Sequence, residues 1–238
     1  MNALLPLYRL FLRHQLTAGR LVLIGVMSGV SILIGFVTGA NVPQPNVIES
    51  AVAISWIFGL GLMVPIVSLV LASSSLGDLV ADETLVYLWQ RPSPRWAIAA
   101  GAWLSSLTVA VPATVIPLTI SALLTSKDTT TALSIGLAQG LAAIAYTGIF
   151  VLLGLTIRRS LITGLAYLFI WELFVARVGA GAAKLSINTY PASVMARLTD
   201  IELPLAERSM AVGVIVPLVV PIVAVALTRW RLDRMDVA

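Results

Sequence analysis

The chain has 238 residues, 59% of them hydrophobic and only 11% charged, with a formal net charge of +4. A mean hydropathy of +0.99, with charged residues far below the roughly 25% of soluble domains, excludes a soluble globular protein and indicates a membrane protein. There is no cysteine, so disulfides and thiolate metal sites are excluded, and the single histidine, His14, cannot build a zinc site or a histidine-based triad alone.

Alternating ten-residue segments of the outer-membrane barrel type are absent, which leaves helices to satisfy the backbone in lipid. The expected fold class is therefore all-α. A helix needs roughly 20 apolar residues to cross the hydrocarbon core. Six runs qualify, at 21–40, 51–73, 97–125, 132–157, 161–176 and 210–228, the fifth being short. The run after Arg20 is too long for the apolar region of a cleaved signal peptide, so it reads as the first span.

Residues 1–20 place Arg9, Arg13 and Arg20 at near-helical spacing, with Leu4, Leu7, Tyr8, Phe11 and Leu12 mostly on the other side. Two readings fit: an amphipathic helix lying in the headgroup layer, or basic residues that simply anchor the first span. The first span carries Gly25, Ser28, Gly29, Gly35 and Gly39, which fall within roughly 120° of one another on a helix. Small residues let membrane helices approach closely, either within one chain or between subunits. Gly136 and Gly140 repeat the pattern in the fourth span. Pro65, Pro112, Pro117, Pro217 and Pro221 interrupt spans and loosen them, which suits a protein that opens a path.

Between the second and third runs the composition changes. Asp78, Asp82 and Glu83 lie a turn apart on one side of a predicted short helix, and Leu79, Val80, Leu85, Val86, Leu88 and Trp89 supply its apolar face. Arg91-Pro92-Ser93-Pro94-Arg95 ends it, because each proline restricts its predecessor to extended backbone. Such a helix, rigidly joined to two spans, is suited to receive a push; it also reads as a solvated connector.

The fifth run contains Glu172, the one acid within a predicted span. A mid-membrane carboxylate costs at least roughly 2.5 kcal/mol and normally faces a cavity or a partner, whereas the adjacent Trp171 fits an interfacial belt. The stretch 177–209 that follows reads as partly re-entrant and partly exposed. Counting Lys and Arg between spans, 1–20, 74–96, 158–160 and 229–238 hold ten against five in the opposite loops. Both termini are therefore expected in the cytoplasm.

The run Asp82-Glu83-Thr84-Leu85-Val86-Tyr87-Leu88-Trp89-Gln90-Arg91-Pro92-Ser93-Pro94-Arg95-Trp96 resembles the segment after the second span of ABC-2 type transporter permeases. In that family an acidic residue precedes Gly-Thr-Leu, and a proline is followed two residues later by arginine. Here Glu83 stands where the family has glycine. Tyr167-Leu168-Phe169-Ile170-Trp171-Glu172 is similar to the family's fifth span, and Leu227-Thr228-Arg229-Trp230-Arg231 to the basic exit of its sixth.

The resemblance implies one transmembrane domain over 1–238, with an amphipathic elbow at 1–20, a cytoplasmic coupling helix at 76–96 and an external re-entrant region at 177–209. It implies a six-span exporter subunit in a bacterial inner membrane, paired with itself or a homologue through Gly25, Ser28, Gly29, Gly35 and Gly39. A separate ATP-binding subunit, carrying ATP and magnesium, would meet Asp78, Asp82, Glu83, Thr84, Leu85, Arg91 and Pro92. The chain contains no G-x-x-x-x-G-K-[ST] loop and so would bind no cofactor in that manner itself. Its expected partners are that ATPase, a second permease and lipid, with no nucleic acid.

An ion-coupled transporter using Glu172 is the alternative. An intramembrane enzyme would need a cluster of His, Asp, Glu or Cys near one interface, which the sequence lacks. A relative that transmits force outward without moving cargo is a further reading.

Overall fold

In a computed structural model, residues 3–43, 45–84, 94–175, 178 and 180–235 are described. Helices make up the architecture, and no strand occurs among these residues. A short α1 (Leu4–Gln15) precedes α2 (Ala18–Asn41), α3 (Val47–Ala81), α4 (Arg95–Ser126) and α5 (Thr129–Thr156). Then come α6 (Ser160–Glu172), the single turn α7 (Ala180–Ala183), α8 (Thr189–Thr199) and α9 (Met210–Arg234).

Five of these, α2, α3, α4, α5 and α9, are long and apolar enough to cross a membrane, so the chain is a multi-pass, all-helical membrane protein. The expected fifth run over 161–176 is shorter than its hydropathy suggested. Its helix stops at Glu172. At 1.5 Å per residue it is about 20 Å long, against a hydrocarbon core of about 30 Å.

The bundle is built around α5, whose most apolar window is 72% buried, whereas that of α2 is 11% buried. Helix α5 packs on α3, α4 and α9, and close approach depends on missing side chains. Gly154 of α5 lies against the backbone of Ser73, and a Cβ on Gly148 would stand 2.5 Å from the Pro221 Cα. With no hydrophobic drive between helices in lipid, such backbone contact and its dispersion energy hold the bundle together.

Helix α1 lies on α4. Leu7, Phe11 and Gln15 form its buried stripe, and Gln15 donates to the hydroxyls of Ser105 (3.1 Å) and Ser106 (2.8 Å). At the opposite end of the bundle, Asp128 caps α5 by accepting from the Thr131 amide at 2.7 Å. That contact with Thr131 holds the Asp128 carboxyl below the usual carboxylate range.

The small-residue face of α2 splits in two. Gly35 and Gly39 are buried against α4, where a Cβ on Gly35 would stand 2.5 Å from the Ser121 carbonyl oxygen. Gly25 and Gly29 are exposed with nothing within 4 Å of a Cβ, and Ser28 is half-buried. The two halves differ because α4 meets α2 along the part of the helix that carries Gly35 and Gly39, and no element among the described residues covers the part that carries Gly25 and Gly29.

Candidate functional site

Two helices leave the α-helical path at the same place. Ser55–Met63 within α3 and Tyr167–Glu172 at the end of α6 are π-helical, with i→i+5 hydrogen bonds such as Leu173 N–H to Leu168 O at 3.1 Å. Wide turns of this kind are rare and frequent at functional sites. The first leaves one of its carbonyls without a donor. In an i→i+5 pattern the Leu60 carbonyl would accept from residue 65, which is Pro65 and has no N–H. The Asn188 side-chain amide takes that place, donating to Leu60 O at 3.3 Å. At the start of the same segment, Gln139 of α5 donates to Ser55 O at 2.9 Å.

The second π segment aims Glu172. In an α-helix, residues 167 and 172 would be about 140° apart, too far for contact. The wider turn brings them together, and the Tyr167 hydroxyl donates to Glu172 Oε1 at 2.9 Å. The Ile187 amide donates to the same oxygen at 3.0 Å, and the Ser186 hydroxyl donates to Oε2. Glu172 is 4% exposed, and no ion pair includes it among the described residues. Its place is therefore in the protein interior, while the neighbouring Trp171 is half-buried.

Beside this carboxylate lies a small cavity of about 20 Å³ lined by Trp56, Glu172, Ser186, Asn188 and Thr189, with Pro204 and Leu205 also on its wall. That is room for about one water molecule. The buried hydroxyl of Tyr146 also neighbours Glu172, and the carbonyl oxygens of Gln139 and Asn188 have no hydrogen-bond partner among the described residues. The arrangement is a polar layer in the middle of an apolar bundle. It ties α3, α5, α6 and the 180–199 region together around one buried carboxyl group.

At the end of the bundle where α1 begins, the acidic residues singled out from sequence have separate roles. Asp78 is drawn into the chain itself, accepting from Arg20 at 2.6 Å and pairing with His14 at 3.2 Å. This locks the α1–α2 corner to the last turn of α3. Asp82 and Glu83 are exposed, and Glu83 pairs with Arg158 of the α5–α6 turn at 3.5 Å. Glu83 has φ 56°, and Thr84 N–H to Leu79 O (3.0 Å) and Glu83 N–H to Val80 O (3.4 Å) close the helix. This is the paired hydrogen-bond pattern that ends helices on a left-handed residue, a position glycine favours. Leu85, Arg91 and Pro92 lie outside the described residues, as does the rest of the 85–93 stretch.

The sequence reading did not single out Gln139, Ser186 or Asn188. A lone amide such as Gln139 within an apolar run is a signal for interhelical hydrogen bonding. Ser186 and Asn188 carry no such signal, because their role depends on where the chain folds back. No group of three or more potential metal ligands occurs among the described residues. The chain matches no protein-family model and no curated protein.

Proposed function

We infer that this chain is the membrane-spanning permease subunit of an ATP-driven exporter of the ABC-2 type, working as a dimer with separate ATP-binding subunits. The observation that carries the reading is the Arg20–Asp78–His14 clamp. It joins the short helix α1 and the end of α3 into one rigid corner, and the segment with the permease-like motif leaves from that corner. A push delivered there would move two helices together.

In this reading the termini face the cytoplasm of a bacterial inner membrane, in accord with the excess of Lys and Arg on that side. Helix α6 and the folded-back 180–199 region together complete a sixth crossing. Gly25, Ser28 and Gly29 remain available to a second permease, while Gly35 and Gly39 serve packing within the chain. Asp82 and Glu83 face the ATPase, which carries the ATP and magnesium, and Glu172 lies along the route between inward and outward states.

Purification in mild detergent from the native membrane, followed by mass spectrometry, tests this. An ATPase with a phosphate loop is expected in equal copy number. Glu83→Lys is expected to abolish substrate-stimulated ATP hydrolysis while the protein still inserts. If no ATPase accompanies the chain even after cross-linking at position 83, the exporter reading is wrong.

One observation favours a second reading, an ion-coupled transporter. Glu172 is buried without a cation and surrounded by hydroxyl groups, as a proton site would be. Transport driven by a proton gradient in vesicles free of any ATPase, and lost in Glu172→Gln, would establish it.

A further inference from the structure

The last turns of α5 and α9 flank a groove of about 330 Å³. Its walls are Ile149, Leu152 and Leu153 from α5 and Leu227 from α9, and its rim carries Trp230 and Arg231. Leu227 and Trp230 are about half exposed, so the groove opens outward rather than into the bundle.

The charges on the helix ends near the groove are unevenly matched. Arg229 is held by Asp233 at 3.7 Å, and the same carboxylate takes Arg95 at 3.3 Å. Arg158 pairs with Glu83, and Arg234 stacks on the Trp230 ring at 4.2 Å. Arg231 and Arg159 have no ion pair among the described residues. An apolar trough below the Arg231 guanidinium, with an indole at the boundary, matches a molecule whose hydrocarbon and anionic parts are stacked in the same order.

We propose that this groove binds an anionic glycerophospholipid of the surrounding leaflet, one acyl chain lying between α5 and α9 and the phosphate meeting Arg231. Three features select this occupant. The groove is lined by apolar side chains and opens on the outer face of the bundle. The rim is positive, so a zwitterionic lipid gains the trough but not the charge. Arginine matches phosphate with two parallel N–H donors, and basic pockets between membrane helices favour anionic headgroups. The site does not depend on how transport is energised, and its role would be to fix the spacing of α5 and α9.

The test is native mass spectrometry of the delipidated full-length protein, with any subunits that co-purify, titrated with phosphatidylglycerol or phosphatidylcholine of identical acyl chains. Phosphatidylglycerol should bind at least about fivefold more tightly, the effect of about one basic group at the surface. Arg231→Gln should remove that preference, and Arg9→Gln on the exposed side of α1 should leave it unchanged. Leu227→Trp, which fills the trough at an exposed position, should weaken both lipids alike. Millimolar glycerol 3-phosphate should fail to compete, separating a lipid site from a free-phosphate site. Equal binding of the two lipids, equal losses in Arg231→Gln and Arg9→Gln, or displacement by glycerol 3-phosphate would each overturn the assignment. So would a change in oligomeric state, rather than lipid binding, in Leu227→Trp, since the groove would then be covered by another copy of the chain.

Discussion

Replacing Glu172 separates its structural role from its charge. In Glu172→Ala three donors lose their acceptor: the Tyr167 and Ser186 hydroxyls and the Ile187 amide. Hydrogen bonds between membrane helices average roughly 0.6 kcal/mol, so three of them put the loss near about 2 kcal/mol. The Ile187 amide cannot rotate to find another acceptor, and an orphaned buried donor costs about 1–3 kcal/mol. Together these give a loss of about 2–5 kcal/mol. In Glu172→Gln the amide oxygen can still accept from Tyr167 and Ile187, while the Ser186 hydroxyl rotates to accept from the new NH₂. The loss should then stay below about 1.5 kcal/mol. Reversible unfolding of the purified protein in detergent, or thermal melting calibrated against it, reads both values. If alanine costs no more than glutamine, Glu172 does not hold the polar layer together and the reasoning from its three donors is wrong.

The glycines of α2 should respond in opposite ways. Gly35→Ala forces a methyl group onto the Ser121 backbone and should destabilise the fold by about 1–3 kcal/mol, measured by the same unfolding. Gly29→Leu meets open space, so the fold should stay intact while the dimer fraction in cross-linking falls. Glu83→Gly relieves a left-handed backbone that costs a non-glycine residue about 1–2 kcal/mol; after glycine's own entropic cost the net gain should be up to about 1 kcal/mol, visible as a higher melting temperature. Asp128 has its pKa lowered on folding, so its contribution is complete above the unfolded value of about 3.9 and is lost as pH falls through the folded value. The melting-temperature gap between wild type and Asp128→Asn should therefore be constant near neutrality and close on acidification below about pH 4.

Much of the architecture was legible because it rests on transfer free energy, which adds along the chain. Long apolar runs located α2, α3, α4, α5 and α9 within a few residues, apart from the extension of α3 to Ala81 and of α9 to Arg234. The amphipathic spacing of residues 1–20 indicated a helix, and α1 occupies Leu4–Gln15. Glu172 stood out as the one acid in an apolar run, and the cost of a buried carboxylate made it worth pursuing.

What the sequence left open depended on which surfaces meet. Whether Glu172 faced a partner or the membrane boundary was decided by the π turn at Tyr167–Glu172, which hydropathy does not encode and which assumes meaning only with Ser186 and Ile187 folded against it. Asp78 read as a surface acid beside Asp82 and Glu83. In the fold, Arg20 and His14, 58 and 64 residues earlier, claim it. The small residues of α2 read as one face because their spacing was averaged over about four turns; the crossing with α4 buries Gly35 and Gly39 and leaves Gly25 and Gly29 outside. Composition and periodicity determine which segments must leave water, since each residue contributes independently. Partnership between polar groups is a property of pairs far apart in sequence, and only the packed helices bring those pairs within hydrogen-bonding distance.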